Sequence, residues 1–358
     1  MPEAIHISKA SIGDLRAVPL TLGALGEGAV RLKVESFAVT ANNVTYAAIG
    51  DMFGYWNFFP TGIDGQGIVP MWGHAVVEAS NCSDIAVGER VYGYLPMATH
   101  LDVIPGSVSP GQFTDTTDYR QPMSVFYNQY SRINADPEHD DTREDARMIY
   151  GPLFKTGFLI EAMFRRENWF GAEQCVLSSA SSKTALALAH CAKMSSAAIR
   201  RIGLTSAGNA DFVRSTGLYD DVVAYAPTLP LPQISAVAVD FAGNAAVGRA
   251  VHTRLADTLR YSCSVGVTHI GERQGTGEPL PGPVPILFFA PDHATATIKE
   301  LGGRGFGEAV AASWRGFLSV TDGFMEVDHR DGIAAAADAF RATVAGKADP
   351  SVGIVIRP

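Results

Sequence analysis

Apolar and polar positions follow two different patterns along this chain, and the change comes at Gly151. Beyond it, short apolar runs alternate with stretches of helical periodicity. The apolar runs are CVLSSA, RIGLTS, DVVAY, AVAVDFAG and SCSVGV, and the helical stretches include SSKTALALAHCAKM, NADFVRSTG and NAAVGRAVHTRLAD. Strands that alternate with helices of about ten residues predict a parallel sheet covered on both faces. Because such crossovers are right-handed, the pattern predicts a doubly wound α/β fold.

The first hundred residues have the pattern of strands and turns instead. AVRLKVESFAVTANN alternates in places, and GERVYGYLPMATHLDVIP is a second extended region. A polar segment follows from about residue 105 to 145. Its charge run, NADPEHDDTREDAR, predicts a solvated loop or helix face, although His139 with the two following aspartates offers groups that bind cations.

The last part of the chain adds one strand, two helices and a terminal strand. PVPILFFAP is an apolar strand candidate, GFGEAVAASWRGFL and RDGIAAAADAFRATVAG are helical, and SVGIVIRP closes the chain. A lone terminal strand needs a sheet to join. We therefore expect residues 1–150 and 305–358 to form one domain and residues 151–304 to form the other.

Composition narrows the class of protein. The chain has 358 residues, too many for one ordinary core, with 47% hydrophobic and 18% charged residues. A net charge of -9 argues against a nucleic-acid partner. No apolar run approaches the roughly 18 residues of a membrane span, and no signal-peptide pattern is visible. The four cysteines lie far apart without CxxC spacing. We expect a cytoplasmic protein with no membrane partner.

Four stretches carry a resemblance to known proteins. VTANNVTYAAIGDMFGYWNFFP, GERVYGYLPMATHLDVIP, VFYNQY and SSASSKTALALA resemble the DUF2855 family. The order of a barrel-like region, an inserted α/β region and a returning tail resembles the zinc-free quinone and enoyl reductase branch of the medium-chain dehydrogenase/reductase superfamily. That resemblance implies an α/β fold with a GroES-like β-barrel catalytic domain and a doubly wound parallel (Rossmann) sheet domain.

The superfamily's zinc enzymes place a His-Glu pair where this chain has His74 followed by Ala75. The region ANNVTYAAIGD has no cysteine, and the four-cysteine structural zinc lobe of those enzymes is missing. A catalytic zinc needs about three protein ligands, so we expect no metal. His74 is expected to hydrogen-bond locally, and a role near the substrate is the alternative.

The turn after the first α/β strand, SSASSKTA, lacks the glycines of a dinucleotide loop. Serine hydroxyls can donate to phosphate oxygens, and a helix N-terminus attracts anions. The predicted phosphate contacts are therefore Ser179, Ser181, Ser182, Lys183 and Thr184. The alternative is an N-cap serine cluster with a solvated lysine.

The end of the second α/β strand indicates the type of cofactor. NAD sites carry an acidic residue there, whereas this chain has TSAGN and no carboxylate before Asp211. A neutral, hydroxyl-rich end favours NADP(H), with Ser206 and Asn209 near the 2′-phosphate and Arg214 or Arg200 supplying charge. Phe241 and Gly243 in DFAGN are weaker candidates for the cofactor site.

Residues 40–60 offer the richest chemistry. In the zinc-free reductases a tyrosine late in the equivalent loop donates a proton, and Tyr55 lies nearest that position. Tyr46 falls close to the lost zinc ligand, and Asn42 is a further candidate from the same segment. A tyrosine hydroxyl can polarise a carbonyl or protonate a carbanion without carrying charge. The alternative is that these aromatic residues only pack.

An apolar pocket is expected from Trp56, Tyr127, Asn128 and Phe289, and it suits a small hydrophobic carbonyl or enone. In the zinc-free branch the strand PILFFAP pairs across a dimer, so a homodimer is expected.

The leading hypothesis is thus a zinc-independent, NADPH-dependent reductase of an activated C=C or C=O bond. The alternatives are a non-catalytic nucleotide- or small-molecule-binding protein, and a non-redox lyase or isomerase. A hydrolase is disfavoured because SSASS lacks a glycine-flanked nucleophile elbow.

Overall fold

A computed structural model describes residues 1–241, 243–265 and 279–358, so the last two residues of the predicted run SCSVGV lie outside the described part. The chain forms two compact units, Met1–Ile149 with Glu326–Pro358, and Tyr150–Met325. The return to the first unit was predicted at residue 305. It begins at Glu326 instead, because the helical segment Ala290–Thr321, which is kinked at Gly302 (φ +72°), continues through that position.

The elements of the described residues are numbered in chain order. The strands are β1 Glu3–Ser8, β2 Ser11–Pro19, β3 Val30–Val39, β4 Gln66–Gly67, β5 Pro70–Ser80, β6 Arg90–Pro96, β7 His100–Val103, β8 Pro105–Gly106, β9 Gln112–Asp115, β10 Gln129–Arg132, β11 Gln174–Leu177, β12 Arg200–Thr205, β13 Asp221–Ala224, β14 Ala236–Asp240, β15 Leu259–Ser264, β16 Ile286–Leu287, β17 Glu326–Asp331 and β18 Val352–Arg357. The α-helices are α1 Ala41–Ala48, α2 Gly50–Phe53, α3 Glu144–Arg166, α4 Lys183–Ser195, α5 Ala210–Ser215, α6 Ala245–Leu255, α7 Ala290–Thr321 and α8 Ile333–Val344.

The second unit is built on a six-stranded sheet in the order β13-β12-β11-β14-β15-β16, with every pair parallel. Counted within the unit, this is the order 3-2-1-4-5-6 of dinucleotide-binding sheets. The central strand β11 is buried along its whole length, as expected of a strand covered on both faces. The order reverses between β11 and β14, which creates a crevice at their carboxyl ends. The predicted α/β fold class is confirmed.

Strand β16 is much shorter than the predicted run PVPILFFAP. It contains only Ile286 and Leu287, and Phe289 already precedes the first turn of α7. Pro283 and Pro285 have no N–H to give to a ladder, which explains why pairing does not extend upstream. The strand lies at the edge of the sheet and pairs in parallel with β15.

The first unit contains a three-stranded sheet, β2-β1-β4, and a nine-stranded sheet. The latter runs β17-β18-β3-β5-β6-β10-β9-β8, and β7 pairs with β3. The terminal strand β18 pairs antiparallel with β3, with Ile354 opposite Val39, so the predicted terminal strand does join a sheet. Its neighbour β17 pairs with it in parallel.

The prediction of strands and turns for the first hundred residues is wrong between Ala41 and Asn57. That segment forms α1, α2 and a 3₁₀ helix at Tyr55–Asn57. Asn43 stabilises the start of α1, because its Oδ1 accepts the Thr40 N–H at 2.7 Å while its Nδ2 donates to the Pro70 carbonyl at 2.9 Å. The sequence indicates this helix start only weakly, because the aromatic residues that follow Asn43 dominate the pattern.

Among the helices of the described ranges, none combines the length and the apolar character needed to cross a bilayer.

Candidate functional site

The first unit gathers several of the predicted residues into one aromatic group, called here the tyrosine cluster. Its members are Tyr46 on α1, Tyr55 on the 3₁₀ helix after α2, Trp72 on β5, Tyr94 on β6 and Tyr127 on the 3₁₀ helix Val125–Tyr127. Neighbouring ring centroids lie between 4.6 and 6.5 Å apart. Helical segments and barrel-type strands therefore bring together side chains that are far apart in sequence.

Tyr46 is the best-ordered polar group of the cluster. Its hydroxyl accepts the Asn42 Nδ2–H at 2.7 Å, from one helical turn earlier, and the Trp72 Nε1–H at 3.1 Å. With two donors directed at the phenol oxygen, its own O–H is the group left to donate. Burial, and then the neighbouring Tyr55, raise the pKa of Tyr46. At neutral pH the residue is therefore an uncharged proton donor.

Tyr55 and Tyr127 form a second hydroxyl pair in the same cluster. Their oxygens lie 3.3 Å apart, and the Tyr55 ring centroid lies 4.6 Å from that of Tyr46. Burial raises the pKa of both hydroxyls. Tyr94, fully buried at the centre of the cluster, was not predicted. The sequence feature that could have identified Tyr94 is the alternation in RVYGYLP, which directs Tyr92 and Tyr94 to the same face of β6.

Two predicted pocket residues are not part of the tyrosine cluster. Trp56 is 4% exposed and packs against Gly50 and Gly67, where any Cβ would collide with the indole. Asn128 is buried, and both ends of its amide bind Arg120: Oδ1 accepts from Nε at 3.1 Å and Nδ2 donates to the backbone carbonyl at 2.9 Å. Both polar groups of the Asn128 amide are therefore occupied in binding Arg120.

The remaining predicted pocket residue, Phe289, belongs to the second unit. It precedes α7 and is half-buried.

In the second unit, residues 178–182 connect β11 to α4 and are called here the serine turn. Ser179 has φ +47°, a left-handed conformation that normally calls for glycine. Its N–H donates to the Tyr225 hydroxyl at 2.8 Å, which helps to hold this conformation. Ser182 is the N-cap of α4, because its Oγ accepts the Ala185 N–H at 3.3 Å. At Ser179 the turn therefore has a backbone conformation that glycine usually provides.

The serine turn is tied to the turn after β14 across the crevice of the sheet. Ser178 Oγ donates to Asp240 Oδ1 at 2.6 Å and accepts the Phe241 N–H at 3.1 Å. The same Asp240 oxygen accepts the Gly243 N–H at 3.1 Å, where Gly243 has φ +71°. Asp240 and Tyr225 were missed from the sequence, although both directly follow apolar strands.

Lys183 and Thr184 open α4, a 13-residue helix whose N-terminus faces this crevice end of the sheet.

The end of β12 lies beside the serine turn. Asn209 Nδ2 donates to Ser181 Oγ at 3.1 Å, and Ser206 is exposed. Both arginines expected to supply charge are already paired with carboxylates. Arg214 Nη1 lies 2.7 Å from Asp211 Oδ1, and Arg200 Nε lies 2.7 Å from Asp221 Oδ2. Both pairs are exposed and contribute little. Arg200 is also the first residue of β12, at the opposite end of the strand from Ser206, so the structure does not place it at the predicted 2′-phosphate position.

His74 does not make the local hydrogen bond that was expected. It is fully buried, and within the described part of the chain neither ring nitrogen has a hydrogen-bond partner. Burial lowers the pKa of His74 to about 3. One ligand-type atom each of His74, His139 and Glu144 lies within 4.8 Å of the other two. The sequence could not reveal this grouping, because Glu144 opens a helix 70 positions away.

Both oxygens of Glu144 are engaged by a guanidinium. Arg90 Nη1 donates to Oε1 at 2.7 Å and Nη2 to Oε2 at 3.0 Å. This bidentate pair would compete with any cation for the carboxylate. The expectation that the chain holds no metal stays a prediction.

A parallel sheet in the order 3-2-1-4-5-6, inserted into a unit of mixed and antiparallel sheets, is the fold of the medium-chain dehydrogenase/reductase superfamily. Solved structures similar to the whole chain have the same fold. The chain belongs to the DUF2855 family, described as a protein of unknown function, whose model matches residues 37–349. None of the curated proteins matches the chain.

Three solved structures illustrate the likeness. CurA from Vibrio vulnificus in complex with NADPH has a TM-score of 0.64 at 15% identity, over 99% of this chain and 98% of CurA. The mycobacterial protein Rv1454c complexed with NADPH has a TM-score of 0.56 at 15% identity over all of both chains. A putative NADPH:quinone reductase from Bacillus thuringiensis has a TM-score of 0.56 at 13% identity, over 100% of this chain and 99% of that one. At these identities the likeness shows the fold alone.

Proposed function

We propose that this protein is a zinc-independent, NADPH-dependent reductase of an activated C=C or C=O bond. The observation that carries the proposal is the serine turn at the crevice of a 3-2-1-4-5-6 sheet, with Ser179 in a glycine-like conformation. NADPH is bound in the solved structures of CurA and Rv1454c, which have the same fold.

The residues around the crevice fit a dinucleotide phosphate. Hydroxyl groups of Ser179, Ser181 and Ser182 and the N-terminus of α4 at Lys183 and Thr184 offer donors to a pyrophosphate. The exposed Ser206 and the neighbouring Asn209 offer neutral donors to a 2′-phosphate, and Arg214 offers a cationic one if its pair with Asp211 opens. Phe241 and Gly243 shape the opposite side of the crevice, where Ser178 and Asp240 hold them.

Bound NADPH would supply a hydride to the electrophilic carbon of the substrate. The chain must then supply a proton, and the Tyr46 hydroxyl suits this role because Asn42 and Trp72 orient it and burial keeps it protonated. Tyr55, with Tyr127, is the second candidate donor. The aromatic surroundings favour a small hydrophobic carbonyl or enone substrate.

The test has two stages. Fluorescence titration of the purified chain with NADPH and NADH measures cofactor binding, and NADPH oxidation is then followed with a panel of quinones, enones and aldehydes. Binding followed by turnover supports the reductase. Binding with no turnover of any class would favour the non-catalytic alternative, and failure to bind either dinucleotide would overturn the proposal.

Strand β16 supports a homodimer as part of the proposal. It is an edge strand whose residues Ile286 and Leu287 are 52% and 44% exposed, and Val284, two residues before it, is 81% exposed. An open apolar edge is a site for pairing with another chain. Light scattering should show a dimer for the wild type and a monomer for Ile286→Glu. A monomeric wild type at micromolar concentration would refute this part.

The absence of zinc is also part of the proposal. Elemental analysis after dialysis should show far less than one zinc per chain, whereas stoichiometric zinc lost in His74→Ala would assign it to the histidine group.

A further inference from the structure

The guanidinium of Arg120, in the first unit, is fully buried. Charged side chains are almost never fully buried unless they are paired. The partner is Asp115, which is fully buried as well, and its Oδ2 accepts a hydrogen bond from Arg120 Nη1 at 2.9 Å. Neither residue belongs to the tyrosine cluster or to the serine turn, and the proposed reaction gives this pair no role.

Each nitrogen of this guanidinium donates a hydrogen bond. Besides its bond to Asp115, Nη1 donates to the Tyr130 hydroxyl at 2.8 Å. Nε donates to Asn128 Oδ1 at 3.1 Å, and Nη2 donates to the Tyr127 carbonyl at 2.8 Å. A rigid planar fork of donors, which arginine has and lysine lacks, can reach acceptors in several directions at once. Arg120 therefore ties the backbone of Tyr127 to the end of β9.

The same guanidinium also packs against the segment that carries Tyr55. Its central carbon lies 5.5 Å from the ring centroid of Phe58 and 5.2 Å from that of Phe59, within the range of a cation–π contact. The Phe58 ring contacts both hydroxyl-bearing tyrosines, with centroid distances of 6.2 Å to Tyr55 and 5.5 Å to Tyr127. Arg120 therefore touches both segments, the one that carries Tyr55 and the one that carries Tyr127.

The contact between the two tyrosine hydroxyls depends on how these segments are held. Tyr55 and Tyr127 each lie in a three-residue 3₁₀ helix, outside the strands of the sheets. Such short 3₁₀ pieces have poor hydrogen-bond geometry of their own. The hydroxyl oxygens lie 3.3 Å apart, already farther than the roughly 2.5–3.0 Å that is usual for O–H···O bonds. A small displacement of either segment would therefore break the pair.

We propose that Arg120 is a positioning residue, which keeps the hydroxyls of Tyr55 and Tyr127 in contact and acts on the reaction only through them. Two hydroxyls that share one hydrogen bond have one O–H left to donate, and in the proposed reaction this O–H binds the carbonyl oxygen of the substrate. The effect of Arg120 on turnover rests on the proposed function, whereas its effect on the hydroxyl pair does not.

The first experiment needs no turnover and reports on the hydroxyl pair itself. The full chain is labelled with fluorotyrosine, and the fluorine NMR signals of Tyr55 and Tyr127 are assigned from Tyr55→Phe and Tyr127→Phe. In the wild type, Tyr127→Phe should shift the Tyr55 signal, because it removes the hydroxyl partner. In the Arg120→Lys background the same substitution should leave the Tyr55 signal unchanged, since lysine cannot supply the planar fork that holds the segment.

Arg132→Lys is the matched control for Arg120→Lys. The Arg132 guanidinium also binds a carboxylate and a backbone carbonyl, because Nη2 donates to Glu89 Oε2 at 2.9 Å and Nη1 donates to the Ser109 carbonyl at 2.8 Å. Neither partner belongs to the tyrosine cluster. The response of the Tyr55 signal to Tyr127→Phe should therefore be kept in Arg132→Lys, even where thermal melts show that the two arginine variants lose similar stability.

The second experiment measures turnover of the best substrate of the panel. Arg120→Lys and Tyr127→Phe should each lower kcat/KM by about ten- to a hundredfold, as expected when a positioned group is displaced or lost. The double variant should lose no more than the more damaging single variant, because both substitutions act on the same hydroxyl pair. NADPH affinity should stay unchanged in all three, and Arg132→Lys should leave kcat/KM unchanged.

If Arg120→Lys does not fold, Asn128→Ala takes its place, because it removes one acceptor of the guanidinium and keeps the pair with Asp115. It should reduce the response of the Tyr55 signal. The proposal is overturned if Tyr127→Phe does not shift that signal in the wild type, if the response is as large in the folded variant as in the wild type, or if the two losses in kcat/KM multiply. A wild type that turns over no substrate would contradict the proposed function, and the NMR result would still decide whether Arg120 holds the pair.

Discussion

The tyrosine cluster and the serine turn hold their polar groups in opposite ways. In the cluster, Tyr46 and Tyr55 are 5% and 7% exposed, and the Tyr46 hydroxyl is fixed by two donors. In the turn, the side chains of Ser179 and Ser182 are only partly buried, and order comes from a left-handed backbone and a helix cap. Burial keeps the tyrosine hydroxyls protonated, which suits a proton donor. An open turn with backbone donors suits a charged ligand that arrives from water.

The largest effect is expected at Tyr46. Tyr46→Phe removes one hydroxyl and keeps the ring packing, so kcat should fall about 100-fold or more, as when a positioned general acid is lost. NADPH affinity should stay unchanged, since the substitution alters none of the donors proposed for the phosphates of the cofactor, which belong to the serine turn and the end of β12. Steady-state kinetics on the best substrate of the panel, with a parallel NADPH titration, measures both.

Tyr55→Phe is the matched control for that variant. It removes a hydroxyl from the same cluster, where Tyr127 is the partner. If Tyr55→Phe reduces kcat more than Tyr46→Phe, the proton donor is Tyr55, and if neither changes kcat, the cluster only packs.

The next largest effect is expected at the serine turn. Lys183→Ala removes a positive charge from the start of α4 and should weaken NADPH by about 1.5–3 kcal/mol, the range for a charge-assisted hydrogen bond. Fluorescence titration measures the change. Unaltered NADPH affinity would remove Lys183 from the cofactor site.

Ser206→Asp asks whether the end of β12 selects NADPH. A carboxylate there would repel a 2′-phosphate but could accept a bond from the ribose hydroxyl of NADH. We expect a much greater loss for NADPH than for NADH, and an equal loss for both would show that the 2′-phosphate lies elsewhere.

The two regions also differ in how far the sequence predicted them. Strand and helix periods predicted the parallel sheet well, because strands buried on both faces are continuous apolar runs such as CVLSSA. Tyr46, Tyr55 and Tyr127 of the cluster were predicted from the sequence. Trp72 and Tyr94 were not, since they join the cluster through the pairing of β5 with β6. Trp56 and Asn128 were expected in the pocket because their types suit one. Only the structure shows the glycines and the arginine that engage them.

Buried ionisable groups in the first unit should also make stability depend on pH. The pKa of His74 is about 3 in the folded chain against an ordinary value of 6.5. Below pH 6.5 the unfolded chain binds a proton that folded His74 does not, so stability is full above that pH and falls as the pH drops towards 3. The loss from this residue is at most about 1.4 kcal/mol per pH unit.

His74→Gln should therefore lose less stability than wild type between pH 6.5 and 4.5, as measured by urea unfolding. His329→Gln, which removes an exposed histidine from β17, is the control. A wild-type acid dependence retained in full by His74→Gln would mean that His74 is protonated in the folded chain.

The smallest expected effect concerns how the serine turn is held. The Tyr225 hydroxyl accepts the Ser179 N–H at 2.8 Å, and Ser179 is strained with φ +47°. Tyr225→Phe leaves that N–H without its acceptor and should cost about 1 kcal/mol of unfolding free energy, as for one neutral hydrogen bond. Ser179→Gly relieves the strain and should recover part of the loss in the double variant, while adding chain entropy to the unfolded state. Urea unfolding of the single and double variants measures this coupling. Strictly additive effects would mean that Tyr225 does not support the conformation of Ser179, and the glycine-like turn would then owe its shape to Ser178 and Ser182 alone.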